Sequence, residues 1–192
     1  MTNRRRLILL DRDGVLNRLV IDKEHGTVDS PLHPSQVELY PDIAKTLLRL
    51  NTMSFALCIV SNQPAAAKGK TTLDNLKQVH NLIVQKAQEA GAIILSSHLC
   101  FHRAEDHCSC RKPRTGLLEE AMEQQGPVDL ASSWMVGDGF TDIDAGKRLG
   151  LKTAFLGPKK CDHCKVASDS KLQPEIWCKD LAGFAQELHL LQ

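Results

Sequence analysis

The feature that most constrains the fold is a short apolar run that ends on two carboxylates. Residues 7–10 read LILL and lead directly into DRDGVLN at residues 11–17. Apolar side chains on both faces are typical of a buried strand in a parallel sheet, so a strand is predicted over 6–10. Ligands bind beyond the carboxyl ends of such strands. Asp11 and Asp13 therefore enter one crevice, although Asp-x-Asp-Gly is also the sequence of an ordinary turn.

Further polar groups follow two other apolar runs, at 55–60 and 134–136, or lie between them. Short side chains after the first run can donate hydrogen bonds to a phosphate, a lysine in CRKP at 110–113 supplies a cation, and carboxylates after the second run can bind a metal ion. Asp11 and Asp13 add hard oxygens and a potential nucleophile. The added candidates are Ser61, Asn62, Gln63, Lys112, Asp138 and Asp142.

Strands and helices alternate along the chain, which predicts a doubly wound α/β fold with a parallel sheet. Besides 6–10, extended segments are predicted over 55–60, 93–95, 134–136, 153–156 and 175–178. Helices are predicted over 42–51, 72–91, 115–123, 141–150 and 181–191.

The predicted helix ends rest on local signals. Asp42 and Thr72 can cap the first two helices, and Gly91 can stop the second. Residues 141–144 resemble a capping box. Segment 22–41 shows no clear periodicity and is predicted to be a loop near the active site.

A second strong signal is a cluster of three cysteines and a histidine: Cys100, His102, Cys108 and Cys110. Three thiolates and one imidazole satisfy tetrahedral Zn2+, and with all four positions filled by protein the ion would be structural. The alternative is buried thiols beside a surface histidine. A zinc-binding loop at about 98–112 would also fix the cations of Arg111 and Lys112 beside the phosphate.

Cys161, His163 and Cys164 could join a second metal site, with Cys178 as the one other nearby cysteine. A plain surface loop is the favoured interpretation of that segment.

Length and charge agree with one enzyme domain over residues 1–192 and leave no insertion large enough for a separate cap domain. The chain has 24 Lys plus Arg against 23 Asp plus Glu, so no broad nucleic-acid or acidic-membrane surface is expected. The apolar run after Arg6 is too short for a signal peptide, and no stretch approaches a membrane span. We therefore expect a cytoplasmic monomer, whose seven cysteines are metal ligands or buried thiols.

Four motifs, DRDGVLN, SNQ, RKP and GDGFTD, resemble in sequential order those of the haloacid dehalogenase-like (HAD) phosphatases. The CxHx5CxC loop followed by RKP is similar to the loop of the heptose-bisphosphate and histidinol-phosphate phosphatase branch. The resemblance implies a Rossmann-like HAD fold and a Mg2+-dependent phosphoric monoester hydrolase.

The resemblance also implies a mechanism. Asp11 would attack the phosphoryl group to form an aspartyl-phosphate. Asp13 would protonate the leaving oxygen and then take a proton from the hydrolytic water. Mg2+ would be held by the Asp11 carboxylate, the Asp13 backbone carbonyl and Asp138, with Asp142 in support. The remaining roles, stabilising the phosphoryl oxygens and contacting the rest of the substrate, would fall to Ser61, Asn62, Gln63, Lys112 and Arg111.

The resemblance leaves two candidate substrates, each of which carries a phosphate. The spacing of the cysteine cluster and the pair 141–142 resemble histidinol-phosphate phosphatases. Asn17 and the loop 64–70 look more like D-glycero-D-manno-heptose 1,7-bisphosphate 7-phosphatases, since Lys68 and Lys70 could contact a second phosphate. A cationic amine would instead need carboxylates such as Asp22 and Asp29. The heptose bisphosphate, a precursor in lipopolysaccharide synthesis, is the favoured expectation.

One position departs from the family pattern, because Gly139 stands where relatives often carry Lys or Arg. A substrate-facing cation is therefore missing. A catalytically silent, metal-stabilised binding protein is a further alternative, but such relatives usually lose the nucleophile or a metal ligand. Here Asp11, Asp13, Lys112 and Asp138 are all present.

Overall fold

The structure is a computed structural model that describes residues 4–22, 26–158 and 172–191. Its centre is a six-stranded parallel sheet, accompanied by a two-stranded antiparallel hairpin. The strands are β1 (Leu7–Leu10), β2 (Val20–Asp22), β3 (Thr27–Asp29), β4 (Ala56–Asn62), β5 (Ile94–Cys100), β6 (Trp134–Gly137), β7 (Lys152–Leu156) and β8 (Ile176–Cys178).

Helices connect the parallel strands. They are α1 (Ile43–Thr52), α2 (Leu73–Glu89), α3 (Gly116–Gln125), α4 (Phe140–Arg148) and α5 (Leu181–Leu190). None of the helices within the described ranges combines the length and apolarity that crossing a membrane requires.

The sheet order β5-β4-β1-β6-β7-β8 places the functional segments at one position. The chain runs outward from β1 to β4 and β5, then returns to the other side of β1 with β6. The strand order therefore reverses between β1 and β6, where open α/β sheets bind ligands. Leu10 lies opposite both Ile59 and Val136, so β1 and β6 end at nearly the same level, and β4 continues three residues further, to Asn62. The predicted doubly wound fold is confirmed.

Both faces of β1 are buried, as its apolar sequence predicts. Ile8 and Leu10 pack in a core with α1, α2 and α5, whereas Leu7 and Leu9 pack in a second core with α3 and α4. Successive side chains of a strand point to opposite faces, so LILL supplies two residues to each core. Truncating one of these leucines to alanine would destabilise the fold by about 2–5 kcal/mol.

The prediction of a loop over 22–41 is wrong in part, because that segment completes the hairpin of β2 and β3. Ile21 pairs with Val28 across the hairpin, and both side chains are exposed. Two strands of three residues, with apolar side chains facing solvent, carry no alternating pattern that a sequence reading could detect.

Local end signals are confirmed for one helix and corrected for two others. The Thr72 hydroxyl accepts a hydrogen bond from the Asn75 amide at 3.1 Å, and Gly91 has a positive φ of 87° just beyond α2. Asp42 precedes α1 but lies in the left-handed region and makes no side-chain cap. Its carboxylate instead pairs with Lys45.

The capping box predicted at 141–144 is wrong, because α4 is capped two residues earlier by a glycine, which has no side chain to complete a box. Gly139 is the N-cap, and its amide donates to Asp142 Oδ2 at 3.1 Å. Cys161, His163 and Cys164 lie outside the described residues.

Candidate active site

Three carboxylates meet at the point where the strand order reverses. The Asp11 amide donates to the Val136 carbonyl at 2.9 Å, which fixes the end of β1 against β6. Asp138 follows β6, and Asp142 lies in the first turn of α4. One carboxylate oxygen from each of the three lies within 4.8 Å of the others. We call Asp11, Asp138 and Asp142 the carboxylate group.

Gly14 makes this approach possible. Its φ is +80°, and a Cβ added there would lie 2.0 Å from Asp138 Oδ2. Any other residue would therefore collide with the Asp138 carboxylate as well as strain the backbone. The glycine of DRDGVLN is required by space as well as by the turn.

Among residues 4–22, 26–158 and 172–191, Lys112 supplies the one positive charge that pairs with these carboxylates. Its Nζ lies 3.1 Å from Asp11 Oδ1 and 2.6 Å from Asp142 Oδ1, and it donates to the Val60 carbonyl at 2.7 Å. Burial alone would lower the pKa of Lys112, but the two carboxylates outweigh it and raise that pKa. The lysine is therefore charged, and removing it would leave buried carboxylates unpaired at a cost of about 3–5 kcal/mol.

The carboxylate group has more negative charge than Lys112 neutralises. Burial, followed by repulsion from Asp11 and Asp142, raises the pKa of Asp138 to about 7. Burial also raises the pKa of Asp142 to about 6, against the opposing effect of Lys112. Hard carboxylate oxygens that repel one another this way fit a bound divalent cation such as Mg2+.

Asp13 lies outside the carboxylate group and is enclosed by donors. Its carboxylate accepts hydrogen bonds from Arg12, Asn17 and Gln63. Burial raises the pKa of Asp13, but the charge of Arg12 and these hydrogen bonds outweigh burial, so the net pKa is below its usual value. The predicted proton-transfer group is therefore held as a carboxylate in this conformation.

The two amide side chains at the end of β4 contact protein groups rather than an open site. Gln63 Nε2 donates to Asp13 Oδ2 at 2.6 Å. Asn62 exchanges two hydrogen bonds with the Lys112 backbone, at 3.1 and 3.0 Å. Each amide positions another site residue, and both N–H groups of Gln63 are used within the protein. Phosphate binding by Asn62 stays a prediction. Ser61 lies beside them and accepts from Gln63.

The cysteine cluster is assembled as its spacing predicts. The Cys110 thiol lies 3.2 Å from that of Cys100, 3.4 Å from that of Cys108 and 3.3 Å from His102 Nδ1. Cys100 lies 3.7 Å from Cys108 and 3.6 Å from His102 Nδ1. A tetrahedron of thiolates about 2.3 Å from a zinc ion has edges of about 3.8 Å. Four soft and borderline donors at this spacing therefore fit Zn2+.

Two predicted substrate contacts lie at the rim. Arg111 Nη1 donates to the His102 carbonyl at 3.3 Å, so the cysteine loop orients it. Lys68 is exposed on the turn that follows β4. Its neighbour Lys70 forms an ion pair with Asp29 of the hairpin. Lys70 and Asp29 thus neutralise each other.

Arg12 is also part of the site, which the sequence motifs did not predict. Its side chain is fully buried and contacts both Asp13 and Gln63. A charged residue inside a buried motif, between two carboxylates, is the signal that could have identified it, because buried arginines are almost always paired.

Comparison with known proteins decides the family. The chain is 35% identical to a probable D-glycero-D-manno-heptose-1,7-bisphosphate 7-phosphatase of Thermoplasma volcanium over 77% of this chain and 94% of that one. It is 34% identical to D-glycero-beta-D-manno-heptose-1,7-bisphosphate 7-phosphatase of Pseudomonas aeruginosa, over 96% and 98% of the two chains. The chain belongs to the haloacid dehalogenase-like phosphatases.

This HAD phosphatase also matches the HAD-hydrolase-like family model over residues 109–184. A crystal structure of D,D-heptose 1,7-bisphosphate phosphatase from B. bronchiseptica, complexed with magnesium and phosphate, superposes with a TM-score of 0.79. The two chains are 26% identical, and the match covers 97% of this chain and 99% of the other. The fold and the phosphoric monoester hydrolase class are confirmed.

A second group of relatives is bifunctional. Histidine biosynthesis bifunctional protein HisB of Legionella pneumophila is 28% identical over 77% of this chain, which spans 40% of that protein. The match thus concerns one part of a longer polypeptide.

Proposed function

We propose that this protein hydrolyses the 7-phosphate of D-glycero-D-manno-heptose 1,7-bisphosphate through an aspartyl-phosphate on Asp11. The observation that carries the proposal is the carboxylate group around Lys112, set at the end of β1 beside the turn of Gly14. It supplies a nucleophile, a fixed cation and a divalent-metal site within one crevice. Relatives that share nearly the whole chain length are named for the heptose bisphosphate.

Mg2+ would be held by the carboxylates of Asp11 and Asp138 and by the Asp13 backbone carbonyl. When bound, it supplies charge neutralisation at the phosphoryl oxygens and polarises the phosphorus. Asp142 would support the site indirectly, because its carboxylate pairs with Lys112 instead of contacting the metal.

The protein groups then carry out the two displacements. An Asp11 oxygen bonds to phosphorus as the bond from phosphorus to the sugar oxygen breaks. The sugar oxygen takes a proton from Asp13, which the structure holds as a carboxylate and which must therefore take up a proton before this step. Water next attacks the phosphorus of the aspartyl-phosphate and gives a proton back to Asp13, while the bond from phosphorus to the Asp11 oxygen breaks and inorganic phosphate is released. Lys112 and Ser61 stabilise the charge on the phosphoryl oxygens, where most of the protein's contribution to phosphoryl transfer is made.

The cysteine cluster would bind one structural Zn2+. Burial, followed by the neighbouring thiols, raises the pKa of Cys110 to about 12, so a cation is needed to hold this group as a thiolate. The loop also carries Arg111 and Lys112. Zinc would therefore act on catalysis through the position of these two cations.

Histidinol phosphate is the second candidate substrate, because the HisB relatives share this domain. An amine needs an available carboxylate near the entrance. Asp29, one of the predicted partners, is already paired with Lys70. The same ion pair occupies Lys70, so Lys68 remains as the predicted contact for a second phosphate, and the preference for the heptose bisphosphate rests on the relatives named for it.

The test is a comparison of kcat/KM on the two substrates with Mg2+ present. We expect the heptose bisphosphate to be preferred. A tenfold or greater preference for histidinol phosphate, about 1.4 kcal/mol of transition-state discrimination, would overturn the choice.

A further inference from the structure

The carboxylate of Asp13 is held by a buried set of donors that the proposed mechanism does not use. Asp13 Oδ1 accepts from Arg12 Nε at 3.2 Å and from Asn17 Nδ2 at 2.8 Å. Asp13 Oδ2 accepts from Arg12 Nη2 at 3.0 Å and from Gln63 Nε2 at 2.6 Å. We call Arg12, Asn17 and Gln63 the Asp13 clamp. All three residues are 1% exposed or less.

Within the clamp, Arg12 fixes which end of the Gln63 amide faces Asp13. Arg12 Nη2 donates to Gln63 Oε1 at 2.6 Å, and an arginine can only donate. The amide oxygen must therefore point at Arg12, and the amide nitrogen at Asp13. The same nitrogen also donates to Ser61 Oγ at 3.1 Å, so both ends of the side chain are in use.

We propose that Gln63 is a positioning residue for proton transfer, which acts on the reaction through Asp13 and is oriented by Arg12. The inference rests on the proposed phosphatase function. It differs from the family-based expectation that the polar residues after β4 bind the phosphate. With its amide shared among Arg12, Asp13 and Ser61, Gln63 has no donor left for a phosphoryl oxygen.

A role through Asp13 has a chemical signature that a packing role lacks. When the phosphorus–oxygen bond breaks, a sugar oxygen leaves as a poor alkoxide and needs the proton of Asp13. A nitrophenol oxygen leaves as a stable anion and needs none. In the first step, which kcat/KM reports, a residue that positions Asp13 therefore affects alkyl phosphates selectively, whereas a phosphate contact or a packing contact affects both classes. The later hydrolysis of the aspartyl-phosphate is common to both substrates.

The test uses full-length protein with Gln63→Leu, which keeps the side-chain bulk and removes both hydrogen-bonding ends. We expect kcat/KM on a sugar phosphate to fall by about 100-fold, because this constant covers only the steps up to the aspartyl-phosphate and positioned acid catalysis contributes roughly 10²–10⁴-fold. kcat/KM on p-nitrophenyl phosphate should change by less than about threefold. In an Asp13→Asn background, Gln63→Leu should cause no further loss on the sugar phosphate, because the two residues act as one unit.

A matched control is Gln78→Leu, a glutamine on α2 whose exposed amide bonds only to Asp74 among the described hydrogen bonds. It should leave both activities unchanged. If Gln63→Leu does not fold, Gln63→Glu serves instead, because it keeps the acceptor for Arg12 and removes the donor to Asp13. It should give the same selective loss.

Equal losses of kcat/KM on the two substrates, or additive losses in the double variant, would overturn the positioning role. Such results would leave the phosphatase function standing. Hydrolysis of neither substrate by the wild-type protein would overturn the proposed function and this role with it.

Discussion

The carboxylate group and the cysteine cluster lie on either side of Lys112 but are built in different ways. Asp11 and Asp138 directly follow central strands, and Lys112 offsets part of their repulsion. The cysteine cluster takes Cys100 from the end of edge strand β5, while His102, Cys108 and Cys110 lie on a loop. The sheet therefore positions the carboxylate group, whereas most donors of the cysteine cluster lie on a loop that no sheet positions.

The carboxylate group and the cysteine cluster are therefore expected to differ in how far their shape depends on a bound ion. The carboxylate group keeps its position because β1 and β6 are buried on both faces. The cysteine loop contains only the short 3-10 turn Ala104–Asp106, which has no buried residue. Removing Mg2+ should therefore stop the reaction without disturbing the fold, whereas removing zinc should disturb both.

The largest effect should come from the nucleophile. Asp11→Asn keeps the shape but removes the attacking anion, so kcat should fall on the order of 10⁴-fold or more. The melting temperature and zinc content should match the wild type. Substantial turnover by this variant, measured as phosphate release, would contradict the covalent mechanism.

The next effect should come from the cysteine cluster. Cys108→Ser should release zinc and destabilise the fold by about 2–3 kcal/mol, which lowers the melting temperature by roughly 5–10 °C. Activity should fall as well, and added Mg2+ should not restore it, because the loop carries Arg111 and Lys112.

Cys178→Ser provides the matched control, since this half-buried thiol lies at the end of β8 outside the cluster. It should retain about one zinc per chain by elemental analysis. Full activity and unchanged stability of zinc-free protein would contradict the dependence of the cysteine loop on zinc.

A third effect concerns pH. The pKa of Asp138 is raised from 3.8 to about 7. Its contribution to the stability of the metal-free fold is therefore present below pH 3.8 and lost as the pH rises through about 7. Mg2+ competes with this proton, so Mg2+ affinity should fall about tenfold for each pH unit below 7. Titration calorimetry at pH 6 and pH 8 checks this, and equal affinities would contradict it.

The smallest effect should come from the exposed turn after β4. Lys68→Ala should raise KM for the bisphosphate by at most about fivefold, as expected for an exposed charge worth up to about 1 kcal/mol. KM for a monophosphate should not change. Lys70→Ala makes the same change at the neighbouring lysine, which pairs with Asp29. If Lys68→Ala raised KM for the bisphosphate and for the monophosphate alike, a contact with the second phosphate would be contradicted.

The parts of the site that the sequence predicts are those tied to strand ends. Asp11 and Asp138 follow buried apolar runs, and the backbone of a parallel sheet delivers such positions to one edge. The cysteine spacing also predicts its cluster, because four ligands within eleven consecutive positions are held close together by the short chain between them.

The partners of Asn62 and Gln63 could not be predicted in the same way. Both amide side chains can donate and accept hydrogen bonds. Which groups they bond to is decided by residues about 50 positions away in the chain. The hairpin of β2 and β3 escaped detection because its apolar pair faces solvent. Side-chain orientation and exposed short strands depend on tertiary context, which periodicity does not contain.

The pairing of Lys112 with the carboxylate group also sets an order of binding. With Asp11, Asp138 and Asp142 ionised and Lys112 charged, the formal charge of the site is negative, and a phosphate dianion would be repelled. A divalent cation cancels that excess, and the same crevice then attracts the substrate. We therefore expect the metal to bind before the phosphate group, and loss of the metal to favour the departure of inorganic phosphate.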